Sequence, residues 1–362
     1  MEQDKKIRVA ITHGDTNGVG YEIILKAFED PAMLELCTPI IYGAPKVAAY
    51  YRKMFEMQLQ FHNITDAGDA KDGRLNLLAV TDDEVKMDVG QQTPESEEAA
   101  RKAVERAKAD VEAGLADVLV TAPAAANNNL GRDPQALAML VNEDLRVALV
   151  TKNVAIKDVA EAITKQKIVE KATALHNCLH RDMSISSPRI AVLALNPHAG
   201  AGGLLGDEEQ EIIKPAVDEL EQAGIQAFGP YAADTFFSDD SFVQFDAVLA
   251  MYYDQGMSPF KALAPDCGVR YLAGLPIVIT APDHGSCFDI AGQGKADATA
   301  MRNAIYLAID AVRSRRNFDE PLKNPLPKLY HERRDDSEKV RFAIPKAKGG
   351  DKQKAEKEEK EE

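Results

Sequence analysis

The sequence predicts an α/β protein built on a largely parallel sheet, and two observations carry that reading. Short apolar runs that fit buried strands alternate with segments of helical spacing along most of the 362 residues. This is the rhythm of βαβ units. Apolar residues make up 45% of the chain, enough to core one large or two smaller domains.

Residues 7–12 read as a buried strand. It leads through the loop His13-Gly14-Asp15-Thr16-Asn17-Gly18-Val19-Gly20 into a helix over residues 21–29. Residues 39–42 are a second strand. Residues 45–55 are a helix that starts with proline, where the missing N–H costs nothing. Residues 75–80 form a strand, Thr93-Pro94 opens a long amphipathic helix to about Gly114, and residues 117–121 form another strand. The second part repeats the rhythm. It has strands at 146–151, 189–195, 245–251 and 275–280, and helices at 156–164, 168–178, 208–223 and 298–312. In the 208–223 helix Ile212, Ile213, Val217 and Leu220 share one face.

Charge and cysteine usage exclude several functions. The formal net charge is −15, which repels nucleic acid and anionic membranes. A negatively charged substrate therefore needs a local basic pocket. Cys37, Cys178, Cys267 and Cys287 lack C-x-x-C spacing, so neither a zinc knuckle nor a disulfide framework is expected. The first residues are polar and no long apolar run follows, so a soluble, cytoplasmic protein is expected. Residues 346–362 hold six lysines and six acids and read as a solvated, disordered tail without a function of its own.

Five loops after strands hold the candidate chemistry. Asn196-Pro197-His198-Ala199-Gly200 puts an imidazole among residues small enough to let a ligand approach the backbone. The 13–20 loop is glycine-rich but fits neither the dinucleotide fingerprint nor the P-loop. The loop Thr121-Ala122-Pro123-Ala124 offers little to a ligand and reads as a plain connection. Met251-Tyr252-Tyr253-Asp254-Gln255-Gly256, with Lys261 nearby, could orient a ligand and hold an anion; the bland alternative is a helix start capped by Asp254. The most specific segment runs from Asp283-His284-Gly285-Ser286 to Ala291-Gly292-Gln293-Gly294-Lys295-Ala296-Asp297. Its backbone N–H groups suit a pyrophosphate, and Asp289 suits a ribose hydroxyl.

Taken in order, these segments resemble the 4-hydroxythreonine-4-phosphate dehydrogenase family of pyridoxal phosphate biosynthesis. The likeness covers about residues 7–315. The 283–297 loop also resembles the NAD loop of isocitrate and isopropylmalate dehydrogenases. The resemblance implies a two-domain α/β subunit with parallel and mixed sheets. Residues 1–125 with 275–318 would form the first domain and 126–274 the second, followed by an extension and tail over 319–362. It implies a homodimer with the active site in the interdomain cleft. It implies NAD, a divalent metal (zinc, magnesium or manganese) and a small phosphorylated substrate. The substrate's hydroxyl is oxidised to a ketone before the β-keto acid loses carbon dioxide. Catalytic roles fall on Lys261 and Asp254, and substrate binding on Lys261 and Arg270. The cofactor falls to His284, Gly285, Ser286, Asp289, Ala291, Gly292 and Gly294.

The chain departs from the family at its metal and clamp positions. His198 matches the first of three metal histidines, but Asn153 and Tyr253 stand at the other two. The family's Gly-His-Thr-Glu clamp is replaced by Gly131-Arg132-Asp133-Pro134, and Ile279 stands at an arginine position. Two functions stay open on these residues. One is an NAD-dependent dehydrogenase; the other is an inactive paralogue that keeps nucleotide binding and serves a regulatory or partner-binding role.

Overall fold

Twelve strands among the described residues join into one sheet. They are β1 (Ile7–Thr12), β2 (Cys37–Gly43), β3 (Phe61–Ile64), β4 (Leu75–Ala79), β5 (Val118–Thr121) and β6 (Leu137–Val141), then β7 (Arg146–Leu149), β8 (Arg189–Leu193), β9 (Gln226–Tyr231), β10 (Ala247–Ala250), β11 (Val269–Ala273) and β12 (Ile279–Pro282). The computed structural model describes residues 6–81, 86–125, 127, 130, 136–238 and 240–324. The segment at 131–134 and the charged tail at 346–362 lie outside them. Residues up to Glu320 belong to one unit, and only 321–324 of the second unit are described.

The sheet order is β3-β4-β2-β1-β5-β12-β11-β6-β7-β10-β8-β9. Its first six strands run parallel, and so do its last four. Three antiparallel steps, β12–β11, β11–β6 and β6–β7, join the two blocks. The blocks therefore run in opposite directions, and the sheet is mixed rather than wholly parallel. β1 and β2 are buried almost throughout, as strands covered on both faces must be.

The helices follow from local signals. Pro94–Glu112 begins with a capping box, in which Thr93 accepts from the Ser96 N–H and the Ser96 hydroxyl reaches back to the Thr93 N–H. Its Ala99, Ala103, Ala107 and Val111 are buried at helical spacing, and Arg101 pairs with Glu98 and Glu105 on the wet side. Lys165–Arg181 is capped by Thr164 and buries Ile168, Ala172, Leu175 and Leu179 on one stripe.

The structure moves several expected boundaries. The expected strand at 275–280 forms later, over Ile279–Pro282. Val269–Ala273, Leu137–Val141, Gln226–Tyr231 and the half-exposed Phe61–Ile64 are strands that apolar-run spotting passes over. β8 ends at Leu193, because the Leu195 N–H turns to the Glu209 carboxylate instead of a neighbouring strand. The expected helix at 156–164 breaks into a tight turn, Ile156–Asp158, and one α-turn, Val159–Ala162. The expected helix at 208–223 opens as a π-turn over Glu209–Ile213 before Lys214–Gln222 becomes α-helical. Such wide turns often mark functional sites.

One buried ionic group fastens the antiparallel joint to its covering helices. Asp182, just past Lys165–Arg181, accepts from Arg315 Nε at 2.6 Å and Nη2 at 2.8 Å. It also accepts from the Tyr271 hydroxyl of β11 at 2.7 Å. Arg315 further donates to the Pro276 carbonyl at 2.9 Å. All three side chains are nearly excluded from water. Removing one member strands a buried charge, a loss of about 3–5 kcal/mol. Asp182→Ala is accordingly expected to lower stability by about 3 kcal/mol or more in urea unfolding, and Tyr271→Phe by about 1 kcal/mol.

Candidate functional site

The 13–20 loop, glycine-rich and without a standard fingerprint, is the seat on which the other loops rest. Thr12 to Gly20 are all buried. The Asp15 N–H donates to the Pro123 carbonyl at 2.9 Å, which fixes the loop after β5. The Val19 N–H donates to the Ser286 carbonyl at 3.0 Å, which fixes the loop after β12. A Cβ on Gly18 would stand 2.6 Å from that same carbonyl oxygen, so only glycine lets the two loops meet. Asn17 donates to the Gln91 carbonyl at 3.0 Å and accepts from the Asp88 N–H at 3.0 Å, tying in a fourth segment.

A cavity of about 480 Å³ opens beside this seat. Thr121, Pro123, Ala124, Ala125 and Asn127 line one side. The 121–124 connection is therefore a wall of the site, which its bland alanines did not signal. Parts of β6, β11 and β12 form the floor. Lys152, Asn153, Tyr253, Lys261, Arg270, Asp283, His284, Gly285 and Ser286 supply its polar groups. Of the residues singled out in the sequence, Lys261, Arg270, His284, Gly285, Ser286, Asn153 and Tyr253 line this cavity. Sequence reasoning missed Lys152 and Asp283 as lining groups.

Asp283 organises the cations. Its side chain is only 6% exposed; Lys261 Nζ lies 3.2 Å from Oδ2 and Arg270 Nη2 3.5 Å from Oδ1. Lys261 Nζ also donates to the Asp283 carbonyl at 3.3 Å. Lys152 is half-buried, and burial, with the charges of Arg270 and Lys171 nearby, holds its ammonium below the ordinary lysine range.

The 283–297 loop continues away from the cavity. Asp289, Ala291, Gly292 and Gly294 do not line it. Asp289 and Gly294 are exposed, Gly292 is half-buried and Ala291 is buried. Gly292 and Gly294 hold φ of +73° and +70°, which glycine adopts without strain. Buried Glu22 pins the far end by accepting from the Ala296 N–H at 2.8 Å. Lys26, paired with Glu22 at 2.8 Å, donates to the Gly294 and Ala296 carbonyls. The buried Nε2 of His284 faces no hydrogen-bond partner among the described residues. A small-residue loop with open backbone and an unsatisfied imidazole nitrogen beside a cleft fits a dinucleotide.

Asp254 and His198 lie elsewhere. Asp254 is exposed in the first turn of the helix Tyr253–Leu263 and lines a groove next to the cavity with Lys152, Asn153 and Tyr253. It caps nothing, since the N-cap is Tyr252 without a side-chain bond. Gln255 spends its amide on structure, accepting from the Met251 N–H at 2.8 Å and donating to the Ala194 carbonyl at 2.6 Å. His198 is exposed on a left-handed turn, with φ of 55°, followed by Ala199 at 50° and Ala201 at 47°. Such backbone costs roughly 1–2 kcal/mol per non-glycine residue. Buried Glu209 holds the turn's entry, accepting from the Leu195 N–H at 2.9 Å and the Asn196 N–H at 2.7 Å.

The donor set does not fit the three-histidine metal centre that the resemblance implies. Asn153 and Tyr253 share the cavity and the groove, whereas His198 lines neither. An amide and a phenol are weak ligands for a zinc-type ion. Among the described residues no three His, Cys, Asp or Glu side chains gather as a metal would require.

Beneath the seat, His13 stacks on Tyr21 with ring centroids 5.4 Å apart, and Tyr21 stacks on Tyr51. Burial pushes the His13 pKa down to about 4, outweighing the nearby backbone of Gly14 and Ala99. In the unfolded chain its pKa is about 6.5. The unfolded state therefore binds the proton first as pH falls, so stability is full above about pH 6.5 and is lost towards pH 4. Urea midpoints are expected to fall by an amount equivalent to about 3 kcal/mol across that window, and His13→Phe to flatten the slope.

Comparison with known proteins gives this arrangement a family. The model of the pyridoxal phosphate biosynthetic protein PdxA matches residues 35–131 and 126–308. A 4-hydroxythreonine-4-phosphate dehydrogenase of Bacteroides thetaiotaomicron is 50% identical, over 94% of this chain and 98% of that protein. The enzyme of the same name from Geobacter metallireducens is 38% identical, over 85% of this chain and 96% of its own length. Among solved structures, that of the Klebsiella pneumoniae 4-hydroxythreonine-4-phosphate dehydrogenase aligns with a TM-score of 0.73 and 28% identity, covering 86% of this chain and 99% of its own. With a family model matched over most of its length and relatives this similar along nearly their whole length, the chain belongs to the PdxA family of pyridoxal phosphate biosynthetic proteins.

Proposed function

We propose that the protein is a nicotinamide-dependent oxidoreductase of vitamin B6 biosynthesis that oxidises the hydroxyl of 4-hydroxythreonine 4-phosphate, and that decarboxylation follows. The relatives named for that reaction support it. The observation that carries it is the cavity itself, where a cluster of cations meets the start of a dinucleotide-type loop.

In this reading His284, Gly285 and Ser286 hold the nicotinamide end of NAD at the cavity. Asp289, Ala291, Gly292 and Gly294 hold the nucleotide end along the exposed loop. Bound NAD supplies the hydride acceptor. Lys261 and Arg270, oriented by Asp283, hold the substrate's phosphate. Asp254 takes the hydroxyl proton from the groove side, and Lys261 returns a proton to the product. The wall of Thr121 to Ala125 excludes water from the reacting carbon. No step passes through a metal.

The two parallel blocks support a division into lobes at 1–125 with 275–318 and at 126–274, with the cavity lined from both. Exposed Leu204 and Leu205, next to the His198 turn, support a homodimer. No helix among the described residues is long and apolar enough to cross a membrane, in keeping with a cytoplasmic enzyme.

Purified protein supplied with NAD and 4-hydroxythreonine 4-phosphate is expected to produce reduced nicotinamide with one carbon dioxide per hydride. Arg270→Met should lower kcat/KM by about tenfold to a hundredfold, since a charge-assisted bond to phosphate is worth about 1.5–3 kcal/mol. Absence of reduced nicotinamide from a protein that binds NAD would contradict the dehydrogenase assignment.

A further inference from the structure

Of the chain's seven histidines, only His176 and His180 stand four residues apart. Both lie in the closing turns of the helix Lys165–Arg181. Residues at that spacing sit one turn apart on the same helix face, with Cβ atoms about 5–6 Å from each other. The two half-buried rings are neighbours, with centroids 6.2 Å apart and planes at 47°. Cys178, between them in sequence, packs into the core instead. Neither histidine lines the cavity or the groove beside it.

Each ring is prepared for a ligand in its own way. The buried Nδ1 of His176 faces no hydrogen-bond partner among the described residues, which leaves Nε2 as the ligating nitrogen. Burial, with His180 beside it, holds the His176 imidazole below the ordinary histidine range. A neutral ring offers its lone pair to a metal without first losing a proton. His180 stands edge to face with Phe318 of the last helix, with centroids 5.1 Å apart, and this contact fixes its ring. The negative end of the helix dipole lies at the same turn and favours a cation. Arg181, the next residue, is paired with Asp319.

We infer that His176 and His180 form a two-imidazole clip for a divalent transition-metal ion, copper, nickel or zinc, on one face of this helix and apart from the cavity. Two histidines one turn apart on a helix are a recurring grip on such ions. Imidazole suits all three metals, and copper is held most tightly. No third His, Cys, Asp or Glu joins the pair among the described residues, so the clip is open and water takes the remaining positions. The ion ties together the turns that lead into Asp182, the carboxylate that Arg315 and Tyr271 hold behind the sheet joint. An ion that binds only the folded chain therefore raises its stability. No substrate or dinucleotide enters this inference, so it stands apart from the proposed function.

The test uses full-length protein stripped with EDTA and moved to chelator-free buffer. It is titrated with copper(II) and, separately, nickel(II) by calorimetry, and the copper form is read by electron paramagnetic resonance. One equivalent is expected to bind, with nitrogen hyperfine structure in the copper spectrum. His176→Gln and His180→Phe are each expected to raise Kd at least tenfold; the phenyl ring preserves the packing on Phe318. His198→Gln is expected to bind metal as the wild type does, which separates the clip from the family's metal positions. Nickel is expected to raise the urea midpoint of the wild type and to leave that of both clip variants unmoved. Cooperative unfolding of the metal-free variants shows that they fold, and either substitution decides the matter alone. Binding that survives either clip substitution overturns the inference, as does binding lost in His198→Gln, or no heat with either ion.

Discussion

The contact between the Val19 N–H and the Ser286 carbonyl is the constraint on which the rest of the site depends. It joins the loop after the first strand to the loop after the last, across most of the chain's length. It exists because Gly18 has no side chain where that carbonyl passes. From this meeting point the other pieces take their places. Asp15 positions the 121–127 wall, Asn17 positions residues 88–91, and Glu22 with Lys26 pins the far end of the nucleotide-type loop. Asp15, Asn17, Glu22 and Lys26 do not line the cavity, yet all of them decide its shape.

A second constraint comes from the sheet. Its parallel blocks run in opposite directions and are joined through β12, β11, β6 and β7. Side chains from all four joint strands line the cavity. The joint is held from behind by Asp182, Arg315 and Tyr271, where burial raises the Tyr271 hydroxyl well above its ordinary range and keeps it a hydrogen-bond donor. The polar cluster and the cavity sit on one set of strands, which makes the stability of the joint and the geometry of the site a single problem. The turn at His198 is built differently. Its left-handed residues are strained, and a buried carboxylate from a π-turn holds their entry.

Much of this was legible in the sequence. The βα alternation, the proline-started helices and the long apolar runs of β1, β5 and β8 gave the α/β class directly. The loop motifs singled out Lys261 and His284 to Ser286, the family resemblance added Arg270, and the structure sets them around one cavity. What escaped has physical reasons. Leu137–Val141 and Val269–Ala273 are antiparallel strands in the middle of the sheet, each followed directly by another strand with no helix between to mark it. Lys152 looks like any surface lysine until β7 delivers it to the cavity mouth. Asp283 reads as part of a nucleotide loop, but its burial makes it the hub of two cations. Asp254 and Gln255 sit side by side, and only the fold shows that the first faces a groove while the second clamps two strand ends.

In the proposed reading one phosphorylated ligand and one dinucleotide share a single cleft, organised by side-chain cations. The most direct measurement is a crystal structure of the EDTA-treated protein with NAD and 4-hydroxythreonine 4-phosphate. The account predicts the phosphate within hydrogen-bonding distance of Lys261 and Arg270, with the dinucleotide following residues 284–294. A phosphate seated away from these cations, or a dinucleotide that avoids the 284–294 loop, would contradict it.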